Sequence, residues 1–329
     1  MDRMKFAYLV AGGLAGVVAA GCSAPSLLIT PVSSSRSLKE TVLQRDSAFA
    51  LDKIALIDVS GVIMNAPATR LVGEGEHPVS RLLEQLAVAR RDPRVKAVLL
   101  RINSPGGSVV ASELMHDEIT HFKETGKPVI AVLMDVAASG GYYIACACDE
   151  VVAQPSTVTG SIGVIMQMVE LSETMRMIGV RTDAIVSGPS KDSGSPLRAM
   201  RPEERERFQA IVDEMYDRFV AVVAAGRPGL GADQVRAVAD GRIYTAAQAL
   251  ELGLIDRVAS FRETLDRTKE RVGAKSVKLV AYKRPTEFRP NYYAAAPSAG
   301  GDVNLLNLDL PSWLDSTAPR FMYLWAPGR

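Results

Sequence analysis

Residues 128–143 read Pro-Val-Ile-Ala-Val-Leu-Met-Asp-Val-Ala-Ala-Ser-Gly-Gly-Tyr-Tyr, and this stretch decides the fold. The apolar run at 128–134 predicts a buried strand, and a helix is predicted to follow from Ser139. The same alternation precedes it, with strands predicted over 54–59 and 97–102 and helices over 79–89 and 111–122. Short apolar runs separated by amphipathic helices predict βαβ units around a mostly parallel sheet, and so an α/β fold.

Three apolar runs end in loops rich in small and polar residues. The runs 98–100, 132–134 and 184–186 lead into the loops 104–107, 138–140 and 187–191. In open α/β sheets, ligand sites lie at the carboxyl ends of strands. We therefore expect the three loops to converge on one edge of the sheet.

Composition bounds the class of protein. The chain has 329 residues, of which 47% are hydrophobic, and this is enough for a substantial core. Its 38 basic and 37 acidic residues give a net charge of +1. No nucleic-acid partner is expected, because the chain has neither a basic excess nor a basic-aromatic stripe.

The N-terminus is typical of an export signal. Arg3 and Lys5 precede an uncharged run at 6–20, which is short for a membrane span and normal for a signal peptide. Ala19-Ala20-Gly21-Cys22 resembles a lipobox, in which Cys22 is acylated after cleavage behind Gly21. An uncleaved anchor or an ordinary signal with a chance cysteine are the alternatives. We expect a membrane-anchored lipoprotein of the cell envelope that faces the periplasm or the extracellular side.

Four segments follow from these patterns. We predict a lipoprotein-type signal peptide at 1–22, a tether at 23–50, a folded domain at 51–283 and an irregular C-terminal segment at 284–329. Beyond Pro202 the chain becomes helical, with helices predicted over 202–226 and 246–252. The segment 319–325 is too apolar for a solvated tail, so it is predicted to dock on its own domain or on a neighbour.

Ser139 and the Gly106-Gly107 pair are the first candidates for chemistry. Glycine lets backbone amides approach a substrate carbonyl, so the pair could bind an oxyanion; a structural turn is the alternative. Ser139 lies at a predicted helix N-terminus, where a hydroxyl can be reached and the helix dipole favours negative charge. An N-capping serine is the alternative, and the local sequence leaves both open.

A serine nucleophile needs a base, and the histidines are poor candidates. His77, His116 and His121 all precede Ser139, and the latter two are expected on a solvated helix face. No Gly-x-Ser-x-Gly elbow surrounds Ser139, and no Ser-x-x-Lys motif occurs in the chain. Lys191 could accept the proton if a partly apolar groove keeps its amine neutral; a solvated loop charge is the alternative.

Cys146 and Cys148 are expected to be buried, unpaired side chains. Positions two apart on a helix point to different sides, so a mutual disulfide is not expected. Two cysteines are also too few for a metal site. The sequence predicts neither a metal nor a cofactor.

Taken together, these segments resemble the signal peptide peptidase A family of bacterial serine-lysine peptidases over residues 51–283. Five motifs in order carry the resemblance: Arg101-Ile-Asn-Ser-Pro-Gly-Gly107, Ala138-Ser-Gly-Gly-Tyr-Tyr143, Thr159-Gly-Ser-Ile-Gly163, Lys191-Asp-x-Gly-Ser-Pro196, and Gly241-Arg-x-Tyr-Thr245 running on to Gly253-Leu-Ile-Asp256. The resemblance implies a Clp protease/crotonase-like fold, a repeated ββα spiral with a helical C-terminal part. It also implies a short, single-copy member that assembles as a homo-oligomeric ring.

The resemblance also implies a role for each site residue. Ser139 would be the nucleophile, Lys191 the general base, and Ser161 the serine that orients the lysine. The amides of Gly107 and Gly140 would form the oxyanion hole. Such enzymes need no cofactor and act on peptides, so the implied activity is a membrane-associated serine endopeptidase that cleaves remnant signal peptides or other apolar segments.

Two other functions compete with this interpretation. A crotonase-type acyl-CoA enzyme also uses two backbone amides to hold an oxyanion, but it predicts a cytoplasmic chain without a serine-lysine pair. A non-catalytic member would form a ring that binds peptides without cleaving them. The presence of both Ser139 and Lys191 favours the peptidase.

Overall fold

Apolar strands that run parallel form the centre of the molecule. The computed structural model describes residues 37–66, 77–284 and 320–325. Its strands are β1 (Lys39–Arg45), β2 (Asp52–Ser60), β3 (Val95–Ser104), β4 (Gly106–Ser108), β5 (Val129–Ala138), β6 (Glu150–Ala153), β7 (Val158–Gly160), β8 (Ile165–Gln167), β9 (Ile243–Thr245), β10 (Arg257–Val258), β11 (Val277–Lys283) and β12 (Arg320–Leu324). Its helices are α1 (Pro78–Arg91), α2 (Val109–Lys123), α3 (Gly140–Ala145), α4 (Ser172–Met177), α5 (Pro202–Gly226), α6 (Ala232–Val238), α7 (Ala246–Glu251) and α8 (Phe261–Arg271).

Nine of these strands form one sheet in the order β1-β11-β2-β3-β5-β6-β10, with β7 paired to β5 and β9 paired to β7. The pairs from β11 to β10, and the pair β5–β7, are parallel, whereas β1–β11 and β7–β9 are antiparallel. β4, β12 and β8 form a separate small sheet. The predicted βαβ architecture around a mostly parallel sheet is confirmed.

The core lies on both faces of the large sheet. Alternate residues of β2 and β3 belong to two apolar clusters, with Ile57 and Leu100 on one side and Leu56 and Leu99 on the other. All four side chains are fully buried. This is why these strands are continuous apolar runs rather than alternating ones, as expected for a parallel sheet covered on both faces.

The predicted elements need three corrections. Lys39–Arg45, which falls in the predicted tether, is a strand that pairs with β11, so the folded part begins before residue 51. The run 184–186 is not a strand, and Ile185 is fully exposed, because no neighbouring strand receives it. Arg320–Leu324 is a strand within the segment that we predicted to be irregular, and its docking on the domain agrees with its apolar composition.

The predicted signal peptide and Cys22 lie outside the described residues, and lipidation at Cys22 stays a prediction. Among the residues that are described, no helix is both long and apolar enough to cross a membrane.

A buried ion pair joins the two central strands. Asp58 of β2 and Arg101 of β3 are register partners. Two hydrogen bonds connect them, from Arg101 Nε to Asp58 Oδ1 at 2.7 Å and from Nη2 to Oδ2 at 3.1 Å. Both side chains are buried, and within the sheet the two charges compensate each other. Arg101 opens the first family-like motif, and its role there is to stabilise the sheet.

We expect Arg101→Met to lower the free energy of unfolding by about 3 to 5 kcal/mol, because the carboxylate of Asp58 stays buried with its guanidinium removed. Urea unfolding followed by circular dichroism measures the loss. Arg176→Met is the matched control, since the pair of Arg176 with Glu173 is exposed and should contribute little. Equal losses in both variants would contradict the argument.

Candidate active site

Ser139 lies at the end of β5, in a backbone conformation that serine rarely adopts. Its φ is +53° and its ψ is −118°. Ser161, which follows β7, has a φ of +50°, and in the described part of the chain these are the two non-glycine residues with positive φ. Such strain costs on the order of 1 to 3 kcal/mol per residue and clusters at functional sites. The backbone therefore marks the same two serines that the sequence motifs indicate.

The hydroxyl of Ser139 is buried and unused. Its residue is 1% exposed, and Oγ has no hydrogen-bond partner among the described atoms. Ser139 occupies the N-cap position of α3 but makes no side-chain cap bond. The capping alternative is therefore wrong: the backbone places the residue at the helix start, while the hydroxyl remains available.

Gly107 and Gly140 bring their backbones together beside this serine. A Cβ on Gly140 would lie 3.2 Å from the amide nitrogen of Gly107, so the two segments are in close approach. The amide of Gly106 instead donates to Ser104 Oγ at 3.1 Å. This difference favours Gly107 over Gly106 as an oxyanion donor. The geometry is compatible with the predicted pair of amides, whose catalytic role stays a prediction.

The loop that carries these glycines is held by the two residues before Pro105. Asn103 donates from Nδ2 to Asp135 Oδ2 and accepts from the amide of Val136, both at 3.1 Å. Ser104 Oγ donates to the carbonyl of Gly61 at 2.6 Å. These bonds bridge the register shift between β3 and β5, so the Asn-Ser-Pro-Gly-Gly motif fixes the loop against the end of the strand that leads to Ser139.

Ser161 lies close to Ser139 because Gly160, the residue directly before Ser161, is hydrogen-bonded to Ser139. The amide of Ser139 donates to the carbonyl of Gly160 at 2.7 Å, and the amide of Ser161 donates to the carbonyl of Arg242 at 2.8 Å. Ser161 is itself buried. Two of the predicted site serines therefore lie together at the carboxyl ends of β5 and β7.

Lys191 is not joined to them. It lies exposed in the loop between α4 and α5, where its amide donates to the carbonyl of Gly188 at 3.0 Å. Because Ser139 Oγ has no partner, this lysine does not contact it in the single chain. The structure therefore brings Ser139 close to Ser161 and to the predicted oxyanion glycines, but it does not bring Lys191 into contact with Ser139.

Comparison with known proteins places this constellation in a family. The Clp protease family model matches residues 55–159, and the model of peptidase family S49 matches residues 121–275. A protein named putative signal peptide peptidase SppA from Enterococcus faecium is 36% identical over 234 residues, which cover 71% of this chain and 68% of that protein. The chain belongs to peptidase family S49. It is a serine peptidase with a Clp protease-like fold.

Two further relatives agree with this membership. A putative protease of Synechocystis is 41% identical over 208 residues, 63% of this chain and 70% of that protein. Protease 4 of Salmonella typhi is 35% identical over 230 residues, 70% of this chain and 36% of that protein. The S49 chain described here thus spans about a third of the length of Protease 4.

An ion cluster that sequence reasoning missed fixes the loop directly after Lys191. Arg198 bonds both carboxylate oxygens of Asp192, at 2.7 and 2.9 Å, and the carboxylate of Glu204 on α5. Arg201 adds a bond to Glu204 at 2.9 Å. These hydrogen bonds with arginine lower the pKa of Asp192 to about 2 and that of Glu204 to about 2.

The sign of these shifts gives the pH range of the cluster. Each folded-state pKa lies below the ordinary carboxylate value of about 4, so the cluster stabilises the fold above that pH. This contribution is lost as the pH falls from about 4 towards 2. The segment after Lys191 is therefore tied to the N-terminus of α5 throughout the neutral range. In the sequence, the only sign of this ion cluster is the pattern of opposite charges at Asp192, Arg198 and Glu204.

Two other residues of the family-like motifs, Tyr142 and Asp256, make hydrogen bonds that stabilise the fold around the site. Tyr142 Oη donates to the carbonyl of Leu254 at 2.6 Å. Asp256 accepts two hydrogen bonds of 2.7 Å from the guanidinium of Arg227. The Gly253–Asp256 motif therefore fastens α3, which begins behind Ser139, to the C-terminal half of the domain.

Most of the predictions about the exposure and pairing of the histidines and cysteines are confirmed. His121 is exposed and bonds Glu124, whereas His116 is only 20% exposed and lies edge-on to the ring of Tyr143 at 5.3 Å. The predicted solvated face is thus wrong for His116, and burial lowers its pKa. Cys146 and Cys148 are free and buried, as predicted, and burial raises the pKa of Cys146 to about 12.

We expect Gly107→Ala to lower kcat/KM for peptide cleavage by about 100- to 1,000-fold, the usual cost of losing one oxyanion donor. A Cβ at this position would lie 1.9 Å from the carbonyl oxygen of Ile63, so the loop must shift and carry the amide with it. Gly229→Ala is the control, because nothing lies within 4 Å of its added methyl group. Circular dichroism checks that both variants fold; full activity in Gly107→Ala would exclude this amide.

Proposed function

We propose that this S49 peptidase is an endopeptidase with Ser139 as nucleophile and Lys191 as general base, acting on remnant signal peptides or other apolar segments outside the cytoplasm. One observation carries the proposal: a buried, partnerless Ser139 Oγ on a strained backbone, beside the amides of Gly107 and Gly140. A hydroxyl with no structural use next to two converging amides fits acyl transfer.

The reaction follows from these groups. Neutral Lys191 Nζ takes the proton of Ser139 Oγ as Oγ bonds the substrate carbonyl carbon, and the amides of Gly107 and Gly140 stabilise the resulting oxyanion. When the intermediate collapses, the carbon–nitrogen bond breaks and the lysine gives its proton to the leaving amine. Water, deprotonated by the same lysine, then attacks the acyl carbon. The ester bond to Ser139 Oγ breaks, the lysine returns its proton to Oγ, and the acid is released.

Closure of the dyad requires Lys191 to reach Ser139, with Ser161 as the residue that holds its amine. The lysine comes either from the same chain, by rearrangement of the loop between α4 and α5, or from a neighbouring copy. A homo-oligomer is supported by large apolar side chains on this region, since Met177, Ile178 and Ile185 are strongly exposed. A ring of copies would cover them.

Membrane attachment is proposed through Cys22 or an N-terminal anchor. The lipobox-like sequence supports a lipoprotein tethered to the cell envelope, on its periplasmic or extracellular side. A tether of this kind would keep the enzyme beside membrane-derived peptides. The name of the Enterococcus relative, a putative signal peptide peptidase, supports the same substrate class.

We expect Ser139→Ala and Lys191→Ala each to abolish hydrolysis of a signal-like apolar peptide, because one removes the nucleophile and the other the base. A fluorophosphonate should label the intact enzyme at Ser139, located by mass spectrometry. Lys275→Ala is the control for loss of an exposed lysine and should keep full activity. Full activity in Lys191→Ala would overturn the dyad, and labelling at another serine would overturn the nucleophile.

Mixing the two inactive variants extends the same experiment. If a neighbouring copy supplies the lysine, Ser139→Ala and Lys191→Ala chains will restore part of the activity when they assemble together. If the lysine comes from the same chain, every mixed assembly stays inactive. Acyl-CoA turnover by the intact chain, without peptide cleavage, would favour a crotonase-type enzyme instead.

We expect Cys22→Ser to prevent lipid attachment. The full chain, expressed in bacteria with an alkyne-tagged fatty acid, should incorporate the tag and sediment with membranes, and Cys22→Ser should lose the tag. Cys148→Ser, in which the changed side chain is buried in the folded domain, should retain it. A tag that persists in Cys22→Ser would refute lipidation at this residue.

A further inference from the structure

The strand β5 changes its partners just before it reaches Ser139. It pairs with β6 up to Leu133 and with β7 from Val136 onwards. Its register with β3 shifts over the same residues, so the regular ladder that holds the first part of β5 is interrupted there. The position of Ser139 therefore depends on how the short segment 136–138 is fastened to β7.

A threonine hydroxyl fastens this segment. Thr159 Oγ1 donates a hydrogen bond to the carbonyl of Ala137 at 2.6 Å, and both residues are fully buried. The two residues are register partners in β7 and β5. Ala137 comes two positions before Ser139, and Thr159 comes two positions before Ser161. The hydroxyl therefore joins the points from which the chain enters its two strained serines.

The next bond along this pair of strands runs from the amide of Ser139 to the carbonyl of Gly160 at 2.7 Å. Ser139 has a positive φ, and a strained backbone of this kind persists only where the surrounding structure over-determines it. The hydroxyl of Thr159 is one such restraint, because it holds β5 against β7 directly before the bond to Gly160. The side chain of Thr159 thus supports the backbone bond that links the two serines.

The strand β9 holds β7 from the other side. Thr159 pairs with Tyr244 of β9, and the amide of Ser161 donates to the carbonyl of Arg242 at 2.8 Å. A Cβ on Gly160 would lie 2.6 Å from Cδ2 of Tyr244, so the tyrosine ring packs directly against the backbone of β7. β7 is therefore the fixed side of the link, and the end of β5 is the side that the hydroxyl positions.

The same part of the sheet contains a second bond of this kind. Thr157 Oγ1, directly before β7, donates to the carbonyl of Leu133 at 3.0 Å, and Thr157 is also buried. Leu133 comes six residues before Ser139, on the other side of the register shift. The chain thus offers a matched pair of threonines, alike in burial and in bonding a carbonyl of β5, at different distances along the strand from Ser139.

We propose that Thr159 is a positioning residue of the peptidase, whose hydroxyl sets Ser139 against Ser161. The inference rests on the proposed function, since it takes Ser139 as the nucleophile and Ser161 as the residue that holds the amine of Lys191. Without the hydroxyl, the strained backbone of Ser139 relaxes and its Oγ moves from the place that the oxyanion amides require. A displacement of about 1 Å from the reacting geometry can cost on the order of 100-fold in rate.

Thr159→Val removes the hydroxyl and keeps the branched shape of the side chain. We expect kcat for a signal-like apolar peptide to fall at least about tenfold while KM stays within about twofold, because the change affects the reacting hydroxyl and not peptide binding. Labelling of Ser139 by a fluorophosphonate should slow by a similar factor, since it uses the same hydroxyl. Steady-state kinetics and mass spectrometry measure the two effects.

Two further variants at the same position test the hydroxyl itself. Thr159→Ser keeps the donor and should retain most of the activity. Thr159→Ala also lacks the hydroxyl and should match Thr159→Val, so the result does not depend on the folding of one variant. Circular dichroism checks the fold of each.

Thr157→Val separates positioning from stability. Urea unfolding should show a loss of stability in both Thr157→Val and Thr159→Val, because each loses one buried hydrogen bond. The kcat of Thr157→Val should nevertheless stay within about twofold of that of the intact enzyme, since the lost bond lies before the register shift. An unchanged kcat in Thr159→Val, or equal falls of kcat in the two variants, would overturn the proposal.

Ser139→Ala, assayed beside these variants, distinguishes a failure of this inference from a failure of the proposed function. Full hydrolysis in Ser139→Ala would refute the nucleophile, and with it the positioning role of Thr159. An inactive Ser139→Ala together with a fully active Thr159→Val would refute the positioning role alone and leave the nucleophile in place.

Discussion

The hydrogen bond from the amide of Ser139 to the carbonyl of Gly160 holds the site together. At 2.7 Å it continues the parallel pairing of β5 and β7 one residue past the end of β5, to the last residue of β7. On either side of it the chain turns sharply, into α3 after Ser139 and into the β8 loop after Ser161. Both turns need positive φ, and both serines have it. Without this bond the two strained residues would have no common support.

Glycine makes the rest of the arrangement sterically possible. Each of Gly106, Gly107, Gly140 and Gly141 lies so close to another segment that a methyl group would meet an atom within 2.7 Å. Those atoms belong to Tyr323, Ile63, Ser112 and Ser104 respectively. The backbone amides near Ser139 are thus placed by close backbone packing on a rigid sheet edge. This is the preorganisation that oxyanion stabilisation requires, because fixed dipoles need not reorient during the reaction.

The sequence predicted the elements with strong periodicity and missed those set by long-range pairing. The helix at 202–226 has the predicted bounds, since proline and two acids mark its start and a glycine its end. β1 was missed because Lys39–Arg45 carries three charged residues and is only half buried; its pairing with β11, more than 230 residues later, makes it a strand. β12 was predicted only as a docking segment, because its partners β4 and β8 are three residues each and give no periodic signal.

The contrast between regular elements and irregular loops also explains why the sequence predicts the spatial position of Ser139 but not that of Lys191. Ser139 follows a long buried strand, so the sheet determines its position. Lys191 lies in a loop with no strand before it, held to α5 through the carboxylates of Asp192 and Glu204 and the guanidinium of Arg198. The core therefore fixes the proposed nucleophile, whereas the position of the proposed base depends on what covers an exposed loop.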